Sequence, residues 1–175
     1  MILSGKEILK EFKGGRIHIN PFVVENIGTN SYDFRLGEKL RFYSKPVLDT
    51  KAFNEFEEIV IPEDGFLLEP DKVYLGHSME EMGSDNYTPL IQAKSSFGRL
   101  GLSVCLNSGL GDIGYKNQWT LLLYSPQPLK VYKGEKIGQI YFLETRGKLD
   151  LYKGAYANSS GPMASTLWQQ FAKRK

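Results

Sequence analysis

Short runs of β-branched and aromatic residues, separated by Gly, Pro, Asn and Asp, restrict the possible folds of this chain most strongly. Such runs predict strands, here over residues 31–36, 40–43, 58–61, 65–68, 72–77, 89–93, 118–124, 129–131 and 138–144. The 18 Gly and 8 Pro residues supply the turns. Many short strands at close spacing are typical of a sandwich or barrel and argue against alternating strands and helices. We therefore predict an all-β domain.

One short helix is predicted before the strands. Ser4 and Glu7 have the spacing of a capping box. The apolar residues that follow recur at helical spacing, at Ile8, Leu9 and Phe12. Gly14 and Gly15 then end the pattern.

Length and charge indicate the class of protein. A chain of 175 residues fits one domain, and 41% hydrophobic with 24% charged residues is typical of a globular protein. The net charge of +2 is too small to indicate nucleic acid or a membrane as the main partner. The basic end at 173–175 is interpreted as a solvated terminus.

Cysteine and histidine usage excludes some chemistry. Cys105 is the only cysteine, so no internal disulfide can form and a reducing compartment is expected. The two His lack paired spacing, which argues against a zinc site. No stretch resembles a secretory signal or a membrane span. We expect a cytoplasmic protein.

The C-terminal segment differs from the rest of the chain. Residues 152–165 are rich in Gly, Ser, Ala and Asn, so alone they would be mobile. Trp168 and Phe171 beyond them indicate that the end is anchored. We divide the chain into a β domain at 1–151 and a tail at 152–175 that belongs to the same domain.

Four polar segments could carry chemistry, and the first covers residues 30–37. Alternation along a strand places Asp33 and Arg35 on one face, opposite the apolar residues between them. Taken alone, these two residues are best interpreted as an exposed ion pair at a sheet edge.

The second segment, at 92–102, places two hydroxyls and two cations within six residues, next to a glycine: Lys94, Ser95, Ser96 and Arg99. Hydroxyls and backbone amides bind phosphate oxygens, while Lys and Arg balance the charge. The alternative interpretation is a polar turn before a helix.

The third segment, at 107–117, is a Gly-rich bend that contains Asp112. An Asp in such a bend is usually a turn residue. However, a carboxylate on a rigid hairpin could also orient a sugar hydroxyl or a water.

The fourth segment, at 132–142, contains Gln139 before a run expected to be buried. Pairing of its amide with the backbone is the simpler interpretation.

As an ordered set, these segments resemble the dCTP deaminase branch of the trimeric dUTPase and dCTP deaminase superfamily, over nearly the whole chain. Residues 1–4 and 19–22 look like its N-terminal signature, and residues 31–37 are similar to its first conserved strand. Residues 94–101 resemble its phosphate-binding motif, and residues 111–115 resemble the motif of its sugar-contacting Asp. Residues 134–140 resemble its Gly-x-x-Ile-x-Gln strand.

The resemblance implies a distorted β-barrel or jelly roll of the dUTPase type, assembled as a homotrimer with active sites between subunits. The tail, including Tyr156, Ser159 and Ser160, would close over bound nucleotide as a lid. Mg2+ would be held by triphosphate oxygens and water, with no direct protein ligand.

The resemblance also assigns roles to single residues. Phosphate binding falls to Lys94, Ser95, Ser96 and Arg99, nucleoside binding to Asn107, Gly109, Asp112 and Tyr115, and support of the site to Asp33 and Gln139. Asp112 is also the candidate catalytic residue, because in diphosphatases of this superfamily it helps to activate the attacking water.

One departure from the family pattern bears on the reaction. Deaminases of the family carry a Glu general base on the strand after the Asp motif, and Leu122 occupies that position here. Leu121 and Leu123 are also apolar, so a shift of one residue restores no carboxylate. A leucine cannot transfer protons, and general acid–base catalysis contributes about 10²–10⁴-fold to a rate.

Smaller departures involve the binding residues. Lys94 replaces an Arg of many members and loses its fork geometry. Tyr156 is followed by no Gln of the kind that helps deaminases to read the base. Gly109 looks more like the members that hydrolyse dUTP.

Three hypotheses remain open, and all involve a deoxypyrimidine nucleoside triphosphate. We favour a dUTP diphosphatase, a hydrolase that forms dUMP and pyrophosphate. The alternative is a dCTP deaminase, which forms dUTP and ammonia. The third is a non-catalytic nucleotide-binding regulator, because a fold alone does not fix function.

Overall fold

A computed structural model describes residues 1–172 of the chain, so the basic end at 173–175 lies outside the described residues. Helix α1 (Gly5–Lys13) comes first, and a 3₁₀ turn (Val24–Asn26) and two one-turn helices, α2 (Ser95–Gly98) and α3 (Gln169–Ala172), follow later. The strands are β1 (His18–Asn20), β2 (Tyr32–Arg35), β3 (Lys39–Tyr43), β4 (Phe56–Val60), β5 (Phe66–Leu68), β6 (Tyr74–Gly83), β7 (Tyr87–Ala93), β8 (Lys116–Leu123), β9 (Leu129–Val131) and β10 (Lys136–Glu144).

The strands form three antiparallel sheets around one core. The largest has the order β1-β6-β3-β4, with β8 also paired to β6; the others are β2-β10-β7 and β5-β9. Their buried apolar side chains, among them Phe34, Leu121 and Val131, belong to one cluster. The predicted all-β class with a short N-terminal helix is confirmed. Over residues 1–172 the strands form separate sheets of the distorted jelly-roll kind, and these sheets do not close into one barrel.

Each predicted strand overlaps an observed one, and the differences have local causes. Strand β6 extends to Gly83 because it continues through an irregularity in register between His77 and Glu81. Strand β1 agrees with the alternation of His18 with Ile17 and Ile19 in the sequence, although it has only three residues. The predicted helix is confirmed, and the Ser4 hydroxyl accepts a hydrogen bond from the Glu7 amide at 3.3 Å.

The end of the tail is anchored, as predicted from its aromatic residues. The Trp168 ring lies edge-on to Phe53, with 5.9 Å between ring centroids. Lys51 approaches the Phe171 ring at 5.7 Å. Among residues 1–172, no helix combines the length and the apolar character needed to cross a bilayer.

Glu11 is a buried carboxylate whose charge is balanced by its neighbours. Its side chain contacts the Arg16 guanidinium through both oxygens, and the Tyr87 hydroxyl donates to Oε2 at 2.8 Å. These hydrogen bonds, led by those from Arg16, outweigh desolvation and lower the pKa of Glu11 to about 2. The ionised carboxylate therefore links α1 to Arg16 and Tyr87.

This pair should make the fold sensitive to acid. Because the folded pKa lies below the unfolded value of about 4.3, the stabilisation is present above that value and is lost as pH falls toward about 2. We expect the unfolding temperature to fall over this range, and Glu11→Gln to have a flatter profile with a lower plateau. Glu7→Gln, on the same helix but more exposed, is the control. An unaltered acid profile in Glu11→Gln would contradict the assignment.

Candidate active site

The segment predicted to bind phosphate (residues 94–99) forms a tight turn at the end of β7. Ser95–Gly98 make the one-turn helix α2, and the backbone of Lys94 before it is extended. Ser95, Ser96 and Arg99 are exposed. Their hydroxyl and guanidinium donors are therefore accessible to a ligand.

A polar cluster lies behind this turn. The Lys94 ammonium contacts Asp33 Oδ2, and the Gln139 amide donates to Asp33 Oδ1 at 2.9 Å and to Ser31 Oγ at 3.1 Å. The sheet explains the proximity, because β10 lies between β2 and β7 with Gln139 opposite both Asp33 and Gln92. The structure thus brings together three of the predicted residues, Lys94, Asp33 and Gln139.

The interpretation of Asp33 and Arg35 as an exposed ion pair is wrong. The two side chains share a face of β2, but they do not pair with each other, and each has its own partners elsewhere in the fold. The Arg35 guanidinium donates to Glu80 Oε1 at 2.7 Å, and the Arg35 amide donates to Oε2 at 2.9 Å. Glu80 is fully buried in β6, so its charge requires this partner. Asp33 is left for Lys94 and Gln139.

The bend predicted to hold the nucleoside (residues 107–115) is fixed mainly through its backbone. The Gly111 amide donates to the Pro89 carbonyl at 2.8 Å, while Asp112 and Asn107 are exposed. The Tyr115 hydroxyl donates to the Gln118 carbonyl at 2.8 Å, and burial raises the pKa of this hydroxyl. Asp112 thus projects from a rigid support.

The bend and the phosphate segment lie along the same strand, β7, in one chain. The bend pairs with β7 at Ile91 through Gly109 and at Pro89 through Gly111, and the phosphate segment follows Ala93. A strand rises about 3.3 Å per residue, so on the order of 15 Å separates Pro89 from the phosphate segment. Asp112, next to Gly111, is therefore far from Ser95, Ser96 and Arg99 within one chain.

Packing explains the glycine at position 109 independently of any substrate. A Cβ atom at this position would lie 2.6 Å from the Ile91 carbonyl oxygen and 3.3 Å from Cys105 Sγ. The Ile91 amide also donates to the Gly109 carbonyl at 2.8 Å, which holds the two backbones together. The glycine is therefore no sign of a preference for dUTP.

We expect Gly109→Ala to destabilise the fold by about 1–3 kcal/mol, because the methyl group must displace backbone. Gly98→Ala is the matched control, since nothing lies within 4 Å of a Cβ atom there. It should change stability by no more than about 0.5 kcal/mol. Denaturant unfolding of both variants measures the difference, and equal midpoints would refute the packing argument.

The predicted tail residues occupy different environments. Ser159 is buried, with its Oγ 2.6 Å from the Tyr115 hydroxyl. Because the Tyr115 proton is donated to Gln118, the Ser159 hydroxyl is the donor in this contact. The Tyr156 hydroxyl accepts a hydrogen bond from the Thr166 amide at 3.1 Å, and Ser160 is exposed. The tail is thus ordered against the bend that carries Asp112.

Leu122 lies on the outer face of β8. Trp119, Leu121 and Leu123 are buried, so the alternate residues 118, 120 and 122 share the opposite, partly exposed face. Two of them bind the tail: Gln118 Oε1 accepts the Gly161 amide at 2.8 Å, and Thr120 Oγ1 accepts the Met163 amide at 3.0 Å. The position of the family's general base therefore faces the side that the tail covers.

The sequence predictions did not include Gln118 and Thr120. Their alternation with buried apolar residues predicts an exposed polar strand face. Nothing in that pattern identifies the tail as the element that lies on it.

Comparison with known proteins places the chain in the dCTP deaminase-like family. Residues 2–145 match the family model described as dCTP deaminase-like. Proteins named "dCTP deaminase, dUMP-forming" from Clostridium botulinum (strain Eklund 17B / Type B) and Leptospira biflexa are 45% and 42% identical, over 99% of this chain and 100% of theirs.

A solved structure supports the fold. The 2'-deoxycytidine 5'-triphosphate deaminase from Agrobacterium tumefaciens aligns with a TM-score of 0.64 at 23% identity. The alignment covers 81% of this chain, which spans about half of that longer chain (47%).

Our preference for a dUTP diphosphatase over a deaminase is wrong, because these relatives are named as dCTP deaminases. The physical reason is that an enzyme that forms dUMP from dCTP also cleaves a triphosphate. An intact phosphate segment and Asp112 are therefore equally expected of it, and Leu122 alone does not decide between the two reactions. With a family model over most of its length and full-length relatives, the chain belongs to the dCTP deaminase-like family of nucleotide-processing enzymes.

Proposed function

We propose that this protein is a dCTP deaminase that forms dUMP. One water replaces the amino group of the cytosine ring and releases ammonia, and a second water cleaves between the α- and β-phosphates and releases pyrophosphate. The observation that carries the proposal is the 45% identity over 99% of the chain to relatives named for this conversion. The exposed phosphate segment at the end of β7 supports it.

The phosphate segment supplies the expected donors. The hydroxyls of Ser95 and Ser96 and the guanidinium of Arg99 are exposed on one turn, so they can meet one triphosphate. Asp33 and Gln139 hold Lys94 beside them through the contacts described above. We assign Asp33 and Gln139 to the positioning of the Lys94 ammonium.

We also propose that the active sites are shared between the subunits of a homotrimer. Asp112 and the phosphate segment are well separated along β7 in one chain, and the family resemblance implies that two subunits complete each site. In this proposal one subunit supplies Asn107, Gly109, Asp112 and Tyr115 for the nucleoside. Its neighbour supplies Lys94, Ser95, Ser96 and Arg99.

Magnesium fits this donor set as a companion of the triphosphate. Residues 1–172 contain no group of three or more His, Cys, Asp or Glu side chains placed to hold a metal ion. In this proposal any Mg2+ would be held by phosphate oxygens and water, with no direct protein ligand. When bound, the ion would neutralise phosphate charge. The steps assigned to this chain are binding, orientation and proton transfer.

A second candidate, a nucleotide-binding regulator that does not deaminate, is favoured by Leu122. Its side chain is on the tail-covered face of β8, where the family has a Glu, and it cannot accept a proton. The phosphate segment would still bind a nucleotide in such a protein. Binding and turnover must therefore be measured separately.

One assay separates the two candidates. Purified protein is incubated with Mg2+ and dCTP, and ammonia, pyrophosphate and dUMP are measured, with dCTP binding followed by calorimetry. Ammonia and dUMP in equal amounts support the deaminase. Binding of dCTP without ammonia supports the regulator, and the absence of both refutes the assignment of the site. A parallel incubation with dUTP shows whether phosphate cleavage proceeds without deamination.

A further inference from the structure

Three alternate backbone amides of the tail donate hydrogen bonds to side chains of the β domain. The amides of Gly161, Met163 and Ser165 donate to Gln118 Oε1, Thr120 Oγ1 and the Tyr43 hydroxyl, at 2.8, 3.0 and 2.9 Å. Alternate amides of an extended segment point to the same side. The three acceptors therefore bind every second residue of the tail, although Gly161 (φ +66°) lies in a bend and the acceptors are side chains and not the backbone of a neighbouring strand.

The side-chain amide of Gln118, whose oxygen accepts from the tail, is held by a second hydrogen bond from its nitrogen. Gln118 Nε2 donates to the Met79 carbonyl at 3.2 Å. Met79 lies in the part of β6 where the pairing with β8 shifts register between His77 and Glu81, so its carbonyl is free for a side chain. This bond fixes the orientation of the Gln118 amide and directs its oxygen toward the tail.

Contacts on both sides of this segment limit sliding. Before it, Asn117 Nδ2 donates to the Ala157 carbonyl at 2.7 Å, and Ser159 contacts Tyr115. After it, Trp168 packs against Phe53. The tail is therefore held on both sides of the segment that carries these amides.

We propose that Gln118, Thr120 and Tyr43 are positioning residues that hold the tail in one register across the outer face of β8. The acceptors bind backbone amides, so the register is set by the body of the protein and not by the side chains of the tail. Held in this way, the tail runs along the face that carries Leu122. The proposal deepens the proposed function, and only its kinetic consequence rests on that function.

Amide hydrogen exchange tests the register directly, in the full-length protein. In the wild type we expect slow exchange at Gly161, Met163 and Ser165, and faster exchange at Ser160 and Ala164, whose amides have no hydrogen-bond acceptor among residues 1–172. Thr120→Val keeps the side-chain shape but removes the acceptor, and it should speed exchange at Met163 about two- to tenfold. Thr120→Ser keeps the hydroxyl and should restore protection. The Ile140 amide in β10 reports whether the fold is intact.

Kinetics then show whether the register matters for turnover. A positioning role predicts that Thr120→Val raises KM for dCTP about two- to tenfold, with a smaller change in kcat, and that Thr120→Ser regains the wild-type value. Equal exchange at residues 160, 161 and 163–165 in the wild type, or no change at Met163 in Thr120→Val, would overturn the proposal. Altered exchange with an unchanged KM would refute the positioning role. If no variant, including the wild type, turns over dCTP, the proposed function fails while the exchange pattern still decides the register.

Discussion

Leu122→Glu should raise the rate of ammonia formation from dCTP by about 10²–10⁴-fold if this protein is the regulator candidate, and should leave the rate nearly unchanged if it is the proposed deaminase. Deamination requires a group that takes a proton from the attacking water and delivers one to the leaving ammonia. Position 122 lies on the outer face of β8, beside Gln118 and Thr120, and its present side chain cannot do either. A carboxylate introduced there would face the tail-covered side, where the family resemblance places the base.

The matched control is Leu122→Gln, which has nearly the same shape and polarity as Glu but cannot shuttle protons. Since Leu122 is only partly buried, neither variant should lose more than about 1 kcal/mol of stability. Ammonia release at saturating dCTP is the measurement. An equal gain in both variants would indicate a polarity effect. No gain over an already efficient wild type would show that another group supplies the proton, and that Leu122 does not limit this enzyme.

The fold could be predicted from the sequence because its strands carry local signals. Strand β8 alternates buried Trp119, Leu121 and Leu123 with more exposed residues, and α1 has the predicted cap at Ser4. The short strand β1 has only three residues and a weaker signal. The division into three sheets depends on contacts distant in sequence, such as Phe66 opposite Val131, and no local pattern reveals them.

The site was predictable only as a set of motifs. The phosphate segment and Asp33 are near each other because β10 pairs with both β2 and β7, which no single motif indicates. Arg35 is a clear example, since its partner Glu80 is distant in sequence and buried in another sheet. The tail shows the same limit: its composition predicts mobility, yet acceptors on β8 and Tyr43 bind its backbone.

Asp112→Asn should lower the rate of dUMP formation from dCTP by about 10²–10⁴-fold while leaving the fold intact. The carboxylate is exposed on a bend whose backbone is held by the bond from Gly111 to Pro89, so the substitution removes charge without disturbing packing. Asparagine has nearly the same size but cannot accept a proton from an attacking water. Binding of dCTP should change only a few-fold, because the phosphate segment is untouched.

Asp64→Asn is the control for this change, since Asp64 is also a turn carboxylate, with a side chain 85% exposed and far along the chain from the site residues. It should keep the wild-type rate. Product formation is measured at saturating dCTP, and thermal unfolding confirms that each variant is folded. A rate near that of the wild type in Asp112→Asn would remove Asp112 from the mechanism. A loss of dCTP binding with unchanged kcat would make it a binding residue instead. The two results differ because a general base acts on kcat, whereas a hydrogen bond to the sugar that is equally strong in substrate and transition state acts on KM alone.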